Sequence, residues 1–488
     1  MDFSTSPQGT TYYVSPSGDD SNPGTQASPW QSIGKAVKST IAGDTIFVRE
    51  GEYPTTQGGW SFQNSGTQAE PITLTNFPGE QVVIKIPQIS GDYTPFTCWS
   101  STTDPASWQT TKADFIDILG TDVSPRILSN GVVSQKGIVI QGLEGEQVYS
   151  FSVTGCDYWE VAGVDFIETA AGIRTWKHNY RTMDDNSADY WYVHDNRVYD
   201  YYRESGMQFN GDNNLIEDNE IYKVSNRLDT PYGCQLLNIL GDNNVIRGNT
   251  LSRLGSTAQC AGILFEWDLA DANTVEQNLI FDVTAGIAIQ GGDNNIIRNN
   301  IIYAPNTPEP HSGGIEIFSY DSFKTDWPCN EESGSAESLL PANNPAHPDY
   351  QYYYNPRNCH SFGNQIYNNV IHGFVESVHL YPLAGENTVI LNNVFSGWTR
   401  GSICYYISIS WTCYPLPVNV TAEHNADQGP FGFVDIDHFD FHLINNSPLI
   451  DTGLNLGPLN SYDFDGNPRP QGTDYDIGAY EYFFDTQP

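Results

Sequence analysis

Two carboxylates carry the clearest chemical potential in the chain: Glu266 in "GILFEWDLAD", with Asp268 beside it, and Glu316 in "GGIEIFSYD", with His311 just before it. A pair of carboxyl groups about 6.5–9.5 Å apart can hydrolyse a glycosidic bond with inversion, one protonating the leaving oxygen while the other activates water. A second constellation is basic. "IRTWKHNYR" gathers Arg174, Lys177, His178 and Arg181, and Asp184 and Asp185 follow. Elimination from a uronate polymer needs a base for the C5 proton and a neutraliser for the sugar carboxylate. Lys177 would be the base here. Arg174, or a calcium ion held by Asp184 and Asp185, would be the neutraliser. Each cluster also has a plain reading, as outward acids on a strand-rich surface and as a surface ion-pair group.

These residues lie in a repeat. "GDNNLIEDNEI" returns as "GDNNVIRGNTL" and "GDNNIIRNNII". The corner asparagines Asn196, Asn219, Asn249, Asn278, Asn300, Asn369 and Asn393 recur at intervals of 23, 30, 29, 22, 69 and 24 residues. A period of this size with short alternating β-branched runs predicts a solenoid of parallel strands, a parallel β-helix. Stacked at one corner, the side-chain amides would hydrogen-bond along the column and satisfy turn backbone.

A second strand keeps the same register: "GIRTW", "GMQFN", "LLNIL", "GILFE", "GIAIQ", "GIEIF" and "SVHLY". Its second and fourth residues should point inward, and its third and fifth outward. Two outward columns result, each stepping about 4.8 Å per coil. One reads Arg174, Gln208, Asn238, Leu264, Ala288, Glu316, His379; the other reads Trp176, Asn210, Leu240, Glu266, Gln290, Phe318, Tyr381. Amides, carboxylates and aromatic faces along a shallow groove suit sugar rings, with Glu266 and Glu316 two coils, or roughly 9.5 Å, apart. The insertion at about 319–362 would wall the groove.

Among 488 residues, 21 are basic and 59 acidic, a net charge of −38. Such a surface excludes nucleic acid and anionic lipid as partners and disfavours a polyanion unless cations intervene. No apolar run is long enough for a membrane span of about 20 residues. An aromatic content of 13% excludes a disordered acidic tail. The start lacks the plan of a signal peptide and reads as a mature or trimmed N-terminus. The eight cysteines predict four bridges, Cys404–Cys413, Cys329–Cys359, Cys234–Cys260 and Cys98–Cys156, and an extracellular or cell-surface location.

"YYVSPSGDDSNPGTQASPWQSIGKAV", "AGDTIFVREGEYP" and "PITLTNFPGEQVVI" resemble the N-terminal cap and first coils of secreted bacterial right-handed parallel β-helix proteins of the pectate-lyase-like superfamily. "SPLIDTGLN" and "DFDGNPRPQGTDYDIGAYEY" are similar to their closing segment. The resemblance implies an all-β, right-handed, single-stranded solenoid. The aspartate cluster and lysine of the calcium-dependent pectate lyases have no match. The expected layout is a β-helix over 1–430, with a helical cap at about 10–45 that starts from Ser28 and Pro29, and a capping segment over 431–488. The expected function is binding and cleavage of a polysaccharide, with hydrolysis ahead of elimination. The alternative is a non-catalytic adhesin, spike or fibre subunit that assembles through its coils.

Overall fold

The computed structural model describes residues 9–87, 93–99, 113–128, 130–142, 149–175, 187–201, 205–223, 234–266, 270–304, 313–318, 361–381, 384–405, 413–417 and 419–483. Two compact units divide the chain, the first ending at Cys234 and the second running from Gln235 to Pro488. In each, the chain winds repeatedly through three parallel sheets, A, B and C. In the first unit sheet A runs from Thr11–Val14 to Leu215–Glu217, sheet B from Gly51–Pro54 to Glu220–Tyr222, and sheet C from Phe96–Trp99 to Ser205–Phe209. In the second, sheet A runs from Val245–Arg247 to Thr421–Glu423 and sheet B from Thr250–Ser252 to Ala426–Asp427. Its sheet C includes Cys260–Phe265, Ala285–Gln290, Gly313–Phe318, Glu376–Leu380 and Gly401–Tyr405.

The recurring phrase is explained residue by residue. In the second unit the corner column Asn249, Asn278, Asn300, Asn369, Asn393 and Asn425 forms one ladder. Each main-chain N–H and side-chain amide donates to the next Oδ1 at 2.9–3.0 Å. A second ladder, which the sequence reading did not separate, uses the last asparagine of "GDNN": the N–H of Asn244 donates to Asn273, Asn273 to Asn295 and Asn295 to Asn364, at 2.7–2.9 Å. The aspartate of the phrase builds a third, in which Asp293 N–H donates to Asp271 and Asp271 N–H to Asp242, at 2.7 and 2.8 Å. The intervening Asn243 and Asn294 sit at φ 56° and 55°, left-handed conformations that asparagine tolerates better than most residues. At Gly292 a Cβ would stand 2.5 Å from the Ala270 carbonyl oxygen, so no side chain fits. The phrase is thus four positions with four different physical demands.

The N-terminal helix is present but starts later than expected, at Ile33–Ser39, with the Ser32 hydroxyl accepting from Lys35 N–H at 3.1 Å. Pro29 lies outside it because the chain there is still extended: Trp30 N–H bonds Tyr13 O at 3.0 Å, and Asp20 accepts from Gln31 and Ser32. Disulfides join Cys98 to Cys156 and Cys404 to Cys413, and Cys234 and Cys260 are each disulfide-bonded. Cys329 and Cys359 lie outside the described residues.

The C-terminal segment lies along the flank of the coils. Phe431, Phe441, Leu443, Leu449, Ile477 and Tyr480 pack on Ile301, Tyr303, Val370 and Val394 from the outer face of sheet B. Corner side chains from four coils hold it: Gln277 donates to Asp463 O, Asn299 to Tyr462 O, Asn368 to Asp476 O and Gly478 O, and Asn392 to Leu454 O. Inside it, fully buried Arg469 donates to Glu481 at 2.6 Å and to Gly478 O at 2.7 Å. Removing one partner of a buried ion pair strands the other in a dry site, at a cost of about 3–5 kcal/mol. Arg469→Ala should therefore loosen this segment by about that amount, read as early proteolysis after residue 430 and a lower urea midpoint. A midpoint unchanged from the parent would show that the pair contributes nothing.

In the first unit sheet B is covered too. The hairpin of Asp122–Ile127 and Val133–Lys136 lays Leu128 and Val132 on Val83, Val139 and Ile167. Beside it lies a cavity of about 440 Å³. Its two cations are already engaged, Arg197 by Asp165 at 2.6 Å and Lys136 by Asp122 at 3.2 Å. Sheet B is thus covered in both units, and the expected groove belongs to sheet C.

Candidate active site

The columns predicted on sheet C form. Leu264 pairs with Ala288, Ala288 with Glu316, Glu316 with His379, and Gln290 with Phe318. In the first unit Ser152 pairs with Arg174 and Arg174 with Gln208. The alternate residues Ile263, Phe265, Ile287, Ile289, Ile315, Ile317, Val378 and Leu380 fill the core, which fixes the register and turns the columns outward.

Outward is not the same as open. Arg174, Glu266, Gln290, Glu316 and Tyr381 keep part of their surface. Gln208, Asn210, Asn238, Phe318 and His379 are buried, as are Leu240, Leu264 and Ala288. Rungs about 4.8 Å apart shield one another, so only long side chains reach solvent. Asn210 folds back instead, taking Thr175 Oγ1 with its N–H at 2.7 Å and donating its amide to Thr175 O at 3.0 Å, which makes it a corner residue rather than a ligand for substrate. Arg174 lies over the Tyr149 ring, 4.7 Å from its centroid. Trp176, Lys177, His178, Arg181, Asp184, Asp185, Asp268 and His311 lie outside the described residues, as does the insertion through His360.

Glu266 and Glu316 share the outer face of the sheet but are not brought together as a facing pair. They stand in adjoining columns. Two coils of about 4.8 Å and a two-residue offset of about 3.3 Å each put their Cα atoms roughly 12 Å apart. The stacking distance alone omits the offset. Glu266 also leans the other way: Asn238 Nδ2 donates to its Oε2 at 2.7 Å, and Asn238 lies on the coil before Leu264.

Glu316 has the more telling surroundings. Leu264, Ala288 and Phe318, with Tyr381 against them, make an apolar cluster alongside it. Tyr381 meets Phe318 edge-on, centroids 5.7 Å apart, and stacks on His379 at 3.9 Å. Burial and, secondarily, the charge of Glu376 push the Glu316 carboxyl up to about 8, against a hydrogen bond from Gly313 that lowers it. A neutral carboxyl group beside an apolar floor is how proteins keep a carboxylic acid ready to donate a proton near neutral pH. Glu376, with its ion-pair partner Arg400 2.5 Å away, was not singled out from sequence. The signal within reach was the doubled glycine of "GGIEIF", since a bare rung beside a carboxylate leaves room for a second one.

A chain wound through three parallel sheets with corner ladders and an outward-facing acid on one sheet is a right-handed parallel β-helix. The family model described as "Pel9A-like, right handed beta helix region" matches residues 12–186, and that described as "Right handed beta helix region" matches residues 146–326. The chain is a right-handed parallel β-helix protein. It is 41% identical over 76 residues to the uncharacterized protein YwoF of Bacillus subtilis, covering 16% of each chain. It is 40% identical over 79 residues to pectate lyase PEL9 of Emericella nidulans, covering 16% of this chain and 19% of that one. The matched stretches thus span less than a fifth of either relative. Among solved structures, the GH136 lacto-N-biosidase from Eubacterium ramulus shares the fold with a TM-score of 0.52 and 11% identity, over 86% of this chain and 67% of that one.

Proposed function

We propose that the outer face of sheet C in the second unit binds a polysaccharide outside the cell and hydrolyses its glycosidic bonds, with Glu316 as the general acid. The observation that carries this reading is the Glu316 carboxyl, partly exposed beside Leu264, Ala288, Phe318 and Tyr381 and raised to about 8. The apolar cluster suits the C–H patches of a sugar ring, and Gln290 on the neighbouring column suits its hydroxyls. A second carboxylate activates the water. Glu266 reaches that role by leaving Asn238, and Asp268 is the other acid near it in sequence. The net charge of −38 favours a neutral glycan over a polyanion. Disulfides fit an oxidising compartment.

Elimination is the second reading, favoured by the local likeness to the pectate lyase of Emericella nidulans. It would use Lys177 as base and Arg174, or calcium on Asp184 and Asp185, as neutraliser. Among the described residues no group of three or more His, Cys, Asp or Glu side chains is placed to hold a metal ion. A panel of neutral and uronate glycans, with and without chelator, separates the readings. New reducing ends without ultraviolet absorbance support hydrolysis, while unsaturated, chelator-sensitive products support elimination. No turnover on any glycan would leave the adhesin or fibre subunit.

The acid sets a pH limit. A donor raised to about 8 carries its proton below that pH and loses it above. Turnover should therefore fall about tenfold per pH unit on the alkaline side of pH 8, measured as kcat/KM against pH. A profile flat to pH 10 would remove Glu316 from the donor role.

A further inference from the structure

Glu376 is a carboxylate with no exposed surface on sheet C. Its rung pairs with Gly313 on one side and Gly401 on the other, and the two glycines leave the width that a buried carboxylate needs. A Cβ at Gly313 would stand 2.6 and 2.7 Å from Cγ and Oε1 of Glu316. The bare rung therefore also seats the Glu316 carboxyl, which takes a hydrogen bond from Gly313 N–H. Arg400 donates from Nη1 to Glu376 Oε1 at 2.5 Å. Two carboxyl groups thus face each other across one glycine, and among the described residues the guanidinium bonds Glu376 and not Glu316.

Resting on the reading of Glu316 as proton donor, we propose that Glu376, clamped by Arg400 behind the Gly313 rung, is a positioning residue whose negative charge holds the proton on Glu316 until the leaving oxygen of the substrate takes it. Two like charges this close are not both ionised without a large cost, and the group lacking a counter-ion is the one that keeps its proton. The charged and titratable groups on the Glu316 side of the sheet among the described residues are Glu376, with Arg400 behind it, His379 on the next rung, and Tyr381, which stacks on His379. Glu376 itself is closed to substrate, so its part is played through Glu316.

The test is the titration of Glu316 itself, followed by carboxyl-carbon NMR on glutamate-labelled protein and assigned by the signal missing in Glu316→Gln. In Glu376→Gln the midpoint should fall by at least about one pH unit, a tenfold loss of proton affinity. The alkaline limb of kcat/KM should fall with it. Glu376→Asp, which keeps the charge, should retain most of the native midpoint. Should Glu376→Gln fail to fold around an unpaired Arg400, the double variant Glu376→Gln/Arg400→Gln carries the same expectation. An unmoved midpoint in the folded variant overturns the proposal. A midpoint that moves in a protein with no turnover on any glycan upholds the proton-holding pair and sinks the donor reading instead.

Discussion

With Glu316 as the proposed general acid, Glu316→Gln should lower turnover by about 10²–10⁴-fold and leave glycan binding within about twofold, because a positioned general acid contributes about that much and the amide keeps the shape of the carboxyl. Glutamine occupies the same seat over Gly313 but has no proton to give the leaving oxygen. The loss should therefore lie in kcat and not in KM, the pattern of an interaction made in the transition state. Stability should move the other way. The folded state holds the Glu316 proton up to about pH 8, whereas an unfolded glutamate releases it near its ordinary value of 4.5. The stabilising effect of this proton is complete below the unfolded value and is lost as pH rises through the folded one. Glu316→Gln should thus gain thermal stability relative to the parent at pH 9 and not at pH 4. Retained kcat would remove the residue from catalysis. A stability difference independent of pH would show that the carboxyl is not held neutral.

Asn300→Ala should cost at least about 4 kcal/mol, enough to unfold neighbouring coils at moderate urea. Asn300 Oδ1 accepts from the N–H and the amide of Asn278, while its own amide donates to Val275 O, Arg298 O and Asn369 Oδ1, all at 2.9–3.0 Å. Removing the side chain strands groups on both adjoining coils in a dry interior, where each orphan costs about 1–3 kcal/mol. Asn300→Asp keeps the acceptor and loses the donors, so it should fall between the parent and the alanine variant. Urea denaturation followed by circular dichroism measures both. Equal midpoints for all three would mean that the ladder is a bystander of the fold.

The coils were legible because their demands are local and repeated. A corner amide must meet an identical amide one turn on, so asparagine recurs at a countable interval, and the flanking apolar residues set the strand register. That is why Leu264, Ala288, Glu316 and His379 fell into one column as expected. The aspartate and second asparagine ladders were equally regular, but their residues are ordinary turn formers and so looked like punctuation. The site was harder. The Glu316 carboxyl is pushed up first by burial and then by the charge of Glu376, which coiling brings beside it across an insertion and no spacing marks. Glu266 falls on the outer face in the column next to that of Glu316, as expected, but only Asn238 reveals which way its carboxylate leans. The helix start was misjudged because Ser28 and Pro29 make a good local cap while Tyr13 holds the next residue extended.

The segment from Phe431 to Tyr480 closes over Ile301, Tyr303, Val370 and Val394, and its bonds reach back as far as Gln277, 186 positions earlier than Asp463. During synthesis that flank must wait, greasy and uncovered, until the segment from Phe431 to Tyr480 has followed it out of the ribosome. Contacts so distant along the chain form slowly, and chaperone binding or early precipitation would be expected to begin at this seam. A stop codon near residue 430 would leave it permanently bare while sparing Glu316.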